Sequence, residues 1–179
     1  MNEAIAEPVP IVGRTTQKDS FDSLYERTFP KVYAYVASLL RDRSAAEDVT
    51  AQAFERAYRK RRTYRPSRGS REAWVFGIAR NAALDELRKR SRRARLEGEP
   101  EDLAAPSLED HAELALRREA VRAALETLED RERELVALKF MGGLSNSEIA
   151  RVLGVSESSA GTKLHRTITK LREACHDRG

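Results

Sequence analysis

The sequence offers little from which to build a metal centre, a disulfide or a large aromatic core. Of its 179 residues one is cysteine and three are histidine, and aromatic residues make up only 6%. Cys175 has no partner for an internal disulfide, and together with His111, His165 and His176 it matches no familiar zinc-ligand spacing, so neither a metal nor a cofactor is expected. A P-loop is missing too, and three scattered histidines assemble no Ser/His/Asp arrangement, which argues against an enzyme and against a small-molecule substrate. Apolar runs fall well short of the roughly 20 residues a membrane helix requires. Residues 1–20 do not have the basic-then-apolar order of a secretory signal, so the expected location is the cytoplasm, without membrane insertion.

Charge is abundant, at 35% of residues, and the core must be assembled from Leu, Val, Ile and Ala on amphipathic helices. The expected fold class is all-α, with two small helical domains. The net charge of +4 conceals a strong asymmetry: residues 56–95 hold 15 Lys and Arg against 3 Asp and Glu, whereas residues 96–113 hold 7 acidic residues and no basic one. A block of that positive density suits phosphate neutralisation, because each Lys or Arg near a nucleic-acid backbone releases counterions on binding. The acidic stretch contains Gly98, Pro100 and Pro106 and little apolar periodicity, which reads as a flexible linker. Fully extended it would reach roughly 60 Å at about 3.3 Å per residue, enough for two domains to touch DNA sites more than one turn apart.

Residues 1–20 read as an extension without regular structure. The first domain is expected over 21–95. Val32, Tyr35, Val36, Leu39 and Leu40 share one helical face, and Phe21, Leu24 and Tyr25 form a preceding turn before Pro30. Ser44 and Glu47 have the spacing of a capping box, in which hydroxyl and carboxylate satisfy amide donors at a helix start; Val49, Ala53, Ala57 and Tyr58 line the helix that follows. A third helix is expected from about Ser70 to Arg92, with Trp74, Val75, Ile78 and Ala82 inward and charge on every side beyond Leu87.

The second domain is expected over 114–175, with 176–179 as a tail. Val121, Ala124, Leu125 and Leu128 define one helix, and Leu135, Val136, Leu138 and Phe140 a second that stops at Gly142 and Gly143. Ser145 and Glu148 form another capping-box pattern, Ile149, Ala150 and Leu153 the inner face of a short helix, and Gly154 a turn. Ser156 then caps a last helix with Ala160, Leu164, Ile168 and Leu171 inside. This is the pattern of a helix-turn-helix, whose second helix carries Ser158, Thr162, His165, Arg166 and Thr169 on its outward side, with Lys163 nearby, where they can reach a major groove.

In this order the motifs resemble the extracytoplasmic-function (ECF) sigma factors, compact sigma-70 relatives that keep only the second and fourth sigma domains. Residues 46–58 are similar to the family's polymerase-binding helix, residues 74–90 to its -10 recognition helix, and residues 143–156 with 164–166 to its -35 reader. The resemblance implies a factor that directs core RNA polymerase to promoter DNA and helps melt it, with an anti-sigma factor as a further partner. Glu47, Asp48 and Phe54 would then dock on the polymerase clamp. Tyr64 and Arg65, backed by Trp74 and Asn81, would capture an unstacked base of the -10 element, with Arg80 and Arg88 also on that element. Ser158, Ser159, Thr162, Lys163 and Arg166 would read the -35 element.

Three positions, in two places, depart from the family pattern. Ala51 and Gln52 stand where Gln and then an acidic residue are usual, and Gly161 stands where a basic residue is common, at a cost of about 1 kcal/mol in helix propensity. The alternative reading is a free-standing helix-turn-helix regulator that binds duplex DNA without polymerase. It accounts for the C-terminal half only.

Overall fold

A computed structural model describes residues 20–97 and 112–176, with side chains for 20–96 and 119–176. The expectations for the N-terminal extension, for most of the acidic linker and for the tail beyond His176 lie outside the described residues. Among the described residues there are helices and no strands. The first half contains α1 (Phe21–Leu40), α2 (Arg43–Arg59) and α3 (Arg71–Glu97), with two short 3-10 turns at Arg61–Thr63 and Pro66–Arg68. The second contains α4 (Ala112–Glu126), α5 (Asp130–Val136) continued by a π-helical turn at Ala137–Met141, α6 (Asn146–Leu153) and α7 (Glu157–His176).

Local chemistry explains most of the boundaries. Ser20 caps α1 by accepting the Ser23 amide at 3.1 Å, and α1 then runs unbroken through Pro30 to Arg41, which closes it in the left-handed conformation. The turn expected before Pro30 is thus the first part of one helix. Asp42, not Ser44, begins α2: its carboxylate accepts the Ala45 amide at 3.0 Å, while Glu47 pairs with Arg43 one turn back at 3.3 Å. Ser70 caps α3 through the Ala73 amide at 3.1 Å. That helix extends past Arg92 to Glu97, so the linker is shorter at both ends than the sequence suggested. Pairs such as Glu86 with Arg90 at 3.5 Å support its charged second half, where no continuous apolar face is needed.

Around α6 the sequence pattern is realised in full. The Ser145 hydroxyl accepts the Glu148 amide at 3.3 Å and the Glu148 carboxylate accepts the Ser145 amide at 2.9 Å. Gly154 turns the chain at φ 71°, and the Ser156 hydroxyl accepts the Ser159 amide at 3.2 Å to open α7. Burial alone would raise the Glu148 carboxyl, but hydrogen bonds from the Ser70 hydroxyl and from the Ser145 amide and hydroxyl outweigh it and hold the group below its ordinary 4.5. A carboxylate depressed in the folded state adds stability above its unfolded pKa, and that contribution disappears as pH falls through the folded value. The melting temperature should therefore hold steady down to about pH 5 and drop below it. Glu148→Gln should flatten that drop, as thermal unfolding followed by circular dichroism from neutral to acid pH will register.

The two halves meet. Helices α1, α2 and α3 pack on one another, α4, α5 and α6 pack on α7, and α3 and α1 receive α6, α5 and the π turn. Leu24, Val36, Phe76, Leu138, Leu144 and Ile149 belong to one continuous buried core drawn from both halves. The aromatic ring of Phe76, which no single-face pattern in α3 marked as buried, lies fully enclosed with its edge on Tyr35 at 5.4 Å between centroids. Phe140, expected inward, is 66% exposed because the π turn inserts extra arc into the helix and swings it outward.

Candidate nucleic-acid and polymerase interface

The turns between α2 and α3 and the first half of α3 form the walls of a cleft of about 630 Å³. Tyr64 and Trp74 both line it and pack against each other, with ring centroids 5.7 Å apart and planes at 54°. The Tyr64 phenol is anchored by donating to the Gly69 carbonyl at 2.8 Å, and the Arg71 guanidinium lies 5.5 Å above its ring. Arg65 and the exposed Asn81 complete the rim, so four of the six residues expected at the -10 element share one cavity. Lys60, Arg68 and Gly77 also line it. Gly77 was legible only as a small residue amid larger ones; a Cβ there would meet open space, which leaves that wall free for a planar group. Two aromatic faces, an amide and several cations form a set that can stack on an unpaired base and neutralise its phosphate.

Arg80 and Arg88 lie elsewhere. Arg88 is exposed further along α3, where it pairs with Asp85 at 2.8 Å. Arg80 points away from the cleft and donates through Nε to Glu134 of α5 at 2.7 Å. The Tyr35 phenol donates to the same oxygen at 2.9 Å. Burial first, and then the Glu134 carboxylate beside it, hold the Tyr35 phenol neutral well above its ordinary range.

On α2, Glu47 and Asp48 are exposed side by side on the outer face. Phe54 is not on that face: only 3% exposed, it packs against Tyr25 at 4.9 Å and Phe29 at 5.5 Å. Its contribution is to fix α2 on α1, and the exposed aromatics nearby are Tyr25 and Tyr58. On α7, Ser158, Thr162, Lys163 and Arg166 are exposed on one side and Ser159 is half-buried. Gly161 faces α6, where a Cβ would touch the Asn146 amide at an ordinary 3.5 Å, so the backbone does not demand glycine there.

Residues 24–93 match the model of sigma-70 region 2, and residues 118–171 match that of sigma-70 region 4. The chain is 35% identical over 163 residues to the RNA polymerase sigma factor CarQ of Myxococcus xanthus, covering 89% of this chain and 91% of that protein. It is 28% identical over 160 residues to the ECF RNA polymerase sigma factor SigK of Mycobacterium ulcerans, covering 87% and 86%. A solved structure of the sigma factor RpoE with the anti-sigma factor NepR from Bartonella quintana superposes with a TM-score of 0.73 at 25% identity, over 88% of this chain and 96% of that one. With both sigma regions matched in order and a relative 35% identical over most of both chains, the chain belongs to the ECF group of RNA polymerase sigma factors.

Proposed function

We propose that this sigma factor, which directs RNA polymerase to promoters, divides its work among three surfaces. Glu47 and Asp48 on α2 dock against the polymerase clamp, with Phe54 holding the helix in place from beneath. The cleft of Tyr64, Arg65, Trp74 and Asn81 takes an unstacked base of the -10 element while Arg88 and its basic neighbours follow the backbone. Ser158, Ser159, Thr162, Lys163 and Arg166 read the -35 element in duplex form. The work is recognition and strand capture and makes or breaks no covalent bond. It takes place in the cytoplasm, where an anti-sigma factor is the expected regulator, as in the RpoE complex with NepR. The observation that carries this reading is the contacting pair Tyr64 and Trp74 in the lining of a cleft that Lys60, Arg65 and Arg68 also line.

Run-off transcription with core polymerase on a promoter library, followed by permanganate footprinting of the melted strand, tests it. Trp74→Ala should leave the factor bound to core yet lower melting about tenfold, in line with about 1–3 kcal/mol per stacked base. Undiminished melting would remove Trp74 from base capture. The regulator alternative is less economical, because the cleft and the acidic face of α2 have no place in it.

A further inference from the structure

We propose that a second cavity beside the strand-capture cleft is a nucleotide site, which takes one nucleobase against its aromatic rings and holds that nucleotide's phosphate with Arg61 and Arg71. The proposal deepens the promoter reading above, and rests on it where the nucleotide belongs to the melted strand. The cavity, of about 220 Å³, is lined by Phe21, Leu24, Arg61, Tyr64, Arg71 and Trp74. It shares Tyr64 and Trp74 with the cleft and no other residue. Its volume lies below the roughly 300 Å³ at which pockets for drug-sized ligands begin, so it suits a single ring system.

The lining is chemically selective. Phe21, Tyr64 and Trp74 are half-buried, which leaves ring surface for a ligand, and Leu24 beneath them is buried. Phe21 is fixed by an edge contact with Tyr58 at 5.2 Å between centroids, and Tyr64 by its bond to the Gly69 carbonyl. A gap left by imperfect core packing would be closed by aliphatic groups, whereas this lining holds two guanidiniums and no carboxylate. The acidic neighbours in sequence, Asp22 and Glu72, do not line it, and Glu72 is paired with Arg27 at 3.0 Å.

Arg61 carries the argument furthest. Its Nη1 donates to the Tyr58 carbonyl at 2.8 Å, and its guanidinium stands 4.0 Å from the centre of the Tyr58 ring. Both partners are neutral, so the cation is held in place while no carboxylate among the described residues answers its charge. The remaining donors of its planar fork match a phosphate. The Arg71 guanidinium, 5.5 Å above the Tyr64 ring, adds a second positive charge to the same lining. Stacking on aromatic rings tolerates any base, so the site selects a nucleotide as a class. A further unpaired base of the melted strand and a free nucleoside phosphate both present that group.

The test uses the full chain. Saturation-transfer NMR measures the binding of deoxyadenosine monophosphate and of deoxyadenosine, and fluorescence anisotropy that of a short, fluorescein-labelled single strand of mixed sequence. Arg61→Ala should weaken the monophosphate about tenfold, the effect of losing one charge-assisted contact, and leave deoxyadenosine unchanged. Arg62→Ala removes the same charge from an exposed neighbour that lines neither cavity, and should leave both unchanged. Phe21→Ala should weaken deoxyadenosine as well; should circular dichroism show lost helix content, Arg61→Ala decides. The labelled strand separates the two sources. A parallel loss of strand affinity in Arg61→Ala assigns the site to the melted strand, and an unchanged strand affinity assigns it to a free nucleotide. No binding of the monophosphate to wild type, no loss in Arg61→Ala, or an equal loss in Arg62→Ala would overturn the proposal. Failure of the wild-type chain to support run-off transcription would instead overturn the promoter reading and leave the monophosphate result standing.

Discussion

Asp48→Arg is expected to abolish transcription by core polymerase from every promoter the wild-type chain serves, a loss of about a hundredfold or more. Reversing a charge within a docking face both removes an attraction and installs a repulsion, and like-charge juxtaposition at an interface costs several kcal/mol. Asp48 suits the role because it is exposed on the outer face of α2, opposite the side that carries Val49, Ala53 and Ala57 into the core. Its neighbour Glu47 is already partly answered by Arg43 at 3.3 Å and should matter less. An exposed substitution in mid-helix leaves folding nearly untouched, within about 0.5 kcal/mol, so the thermal melt should coincide with wild type. Co-precipitation with core enzyme measures the loss directly. A free duplex-binding regulator would give the opposite result, since Asp48 lies on region 2, away from the groove-facing side of α7.

Phe76→Ala should cost about 3–5 kcal/mol of stability and lower the melting temperature by about 10 °C. The ring is fully enclosed, leans on Tyr35 from one half and on the backbone around Gly142 from the other, and so supports both at once. Neither flank can collapse to fill the space without dragging a helix, which puts the change toward the upper end of that range. Chemical unfolding monitored by circular dichroism and by Trp74 fluorescence measures it. Coincident transitions by the two probes are the expected signature of one cooperative core; separate transitions would show that the halves unfold independently.

Much of this architecture was legible because it is written in short-range signals. The caps at Ser145 and Ser156 and the turn at Gly154 depend on residues within a few positions of one another, and α6 and α7 have the expected limits. The start of α2 was misplaced by two residues because Asp42 and Ser44 are both capable caps, and the carboxylate of Asp42 gained a second partner in Arg90 at 2.8 Å that no local pattern announces. The length of α3 was underestimated because Lys, Arg and Glu sustain a helix through propensity and neighbouring ion pairs, with no apolar stripe to read. Phe76 escaped notice for a related reason: a helix covered on two sides loses the single-face periodicity that marks burial.

The site divides in the same way. Tyr64, Trp74 and Asn81 converge because one turn and one helix face place them together. Arg80, one residue before Asn81, is rotated by about 100° around the helix and finds Glu134. Nothing near Arg80 in sequence names that carboxylate, and no periodicity spans the 54 residues between them.

The span between partners also bears on how the molecule is made. A hydrogen bond between Tyr35 and Glu134 closes a loop of 99 residues, long-range for a helical protein, and such closures are slow because chain entropy must be lost before the contact forms. Synthesis delivers the N-terminal half first, at about 5–20 residues per second, so the segments bearing Asp48 and Trp74 leave the ribosome several seconds before Glu134 and Gly142. During that interval Phe76 and Tyr35 have no second layer above them, and newly made chains meet chaperones and polymerase with that apolar surface uncovered.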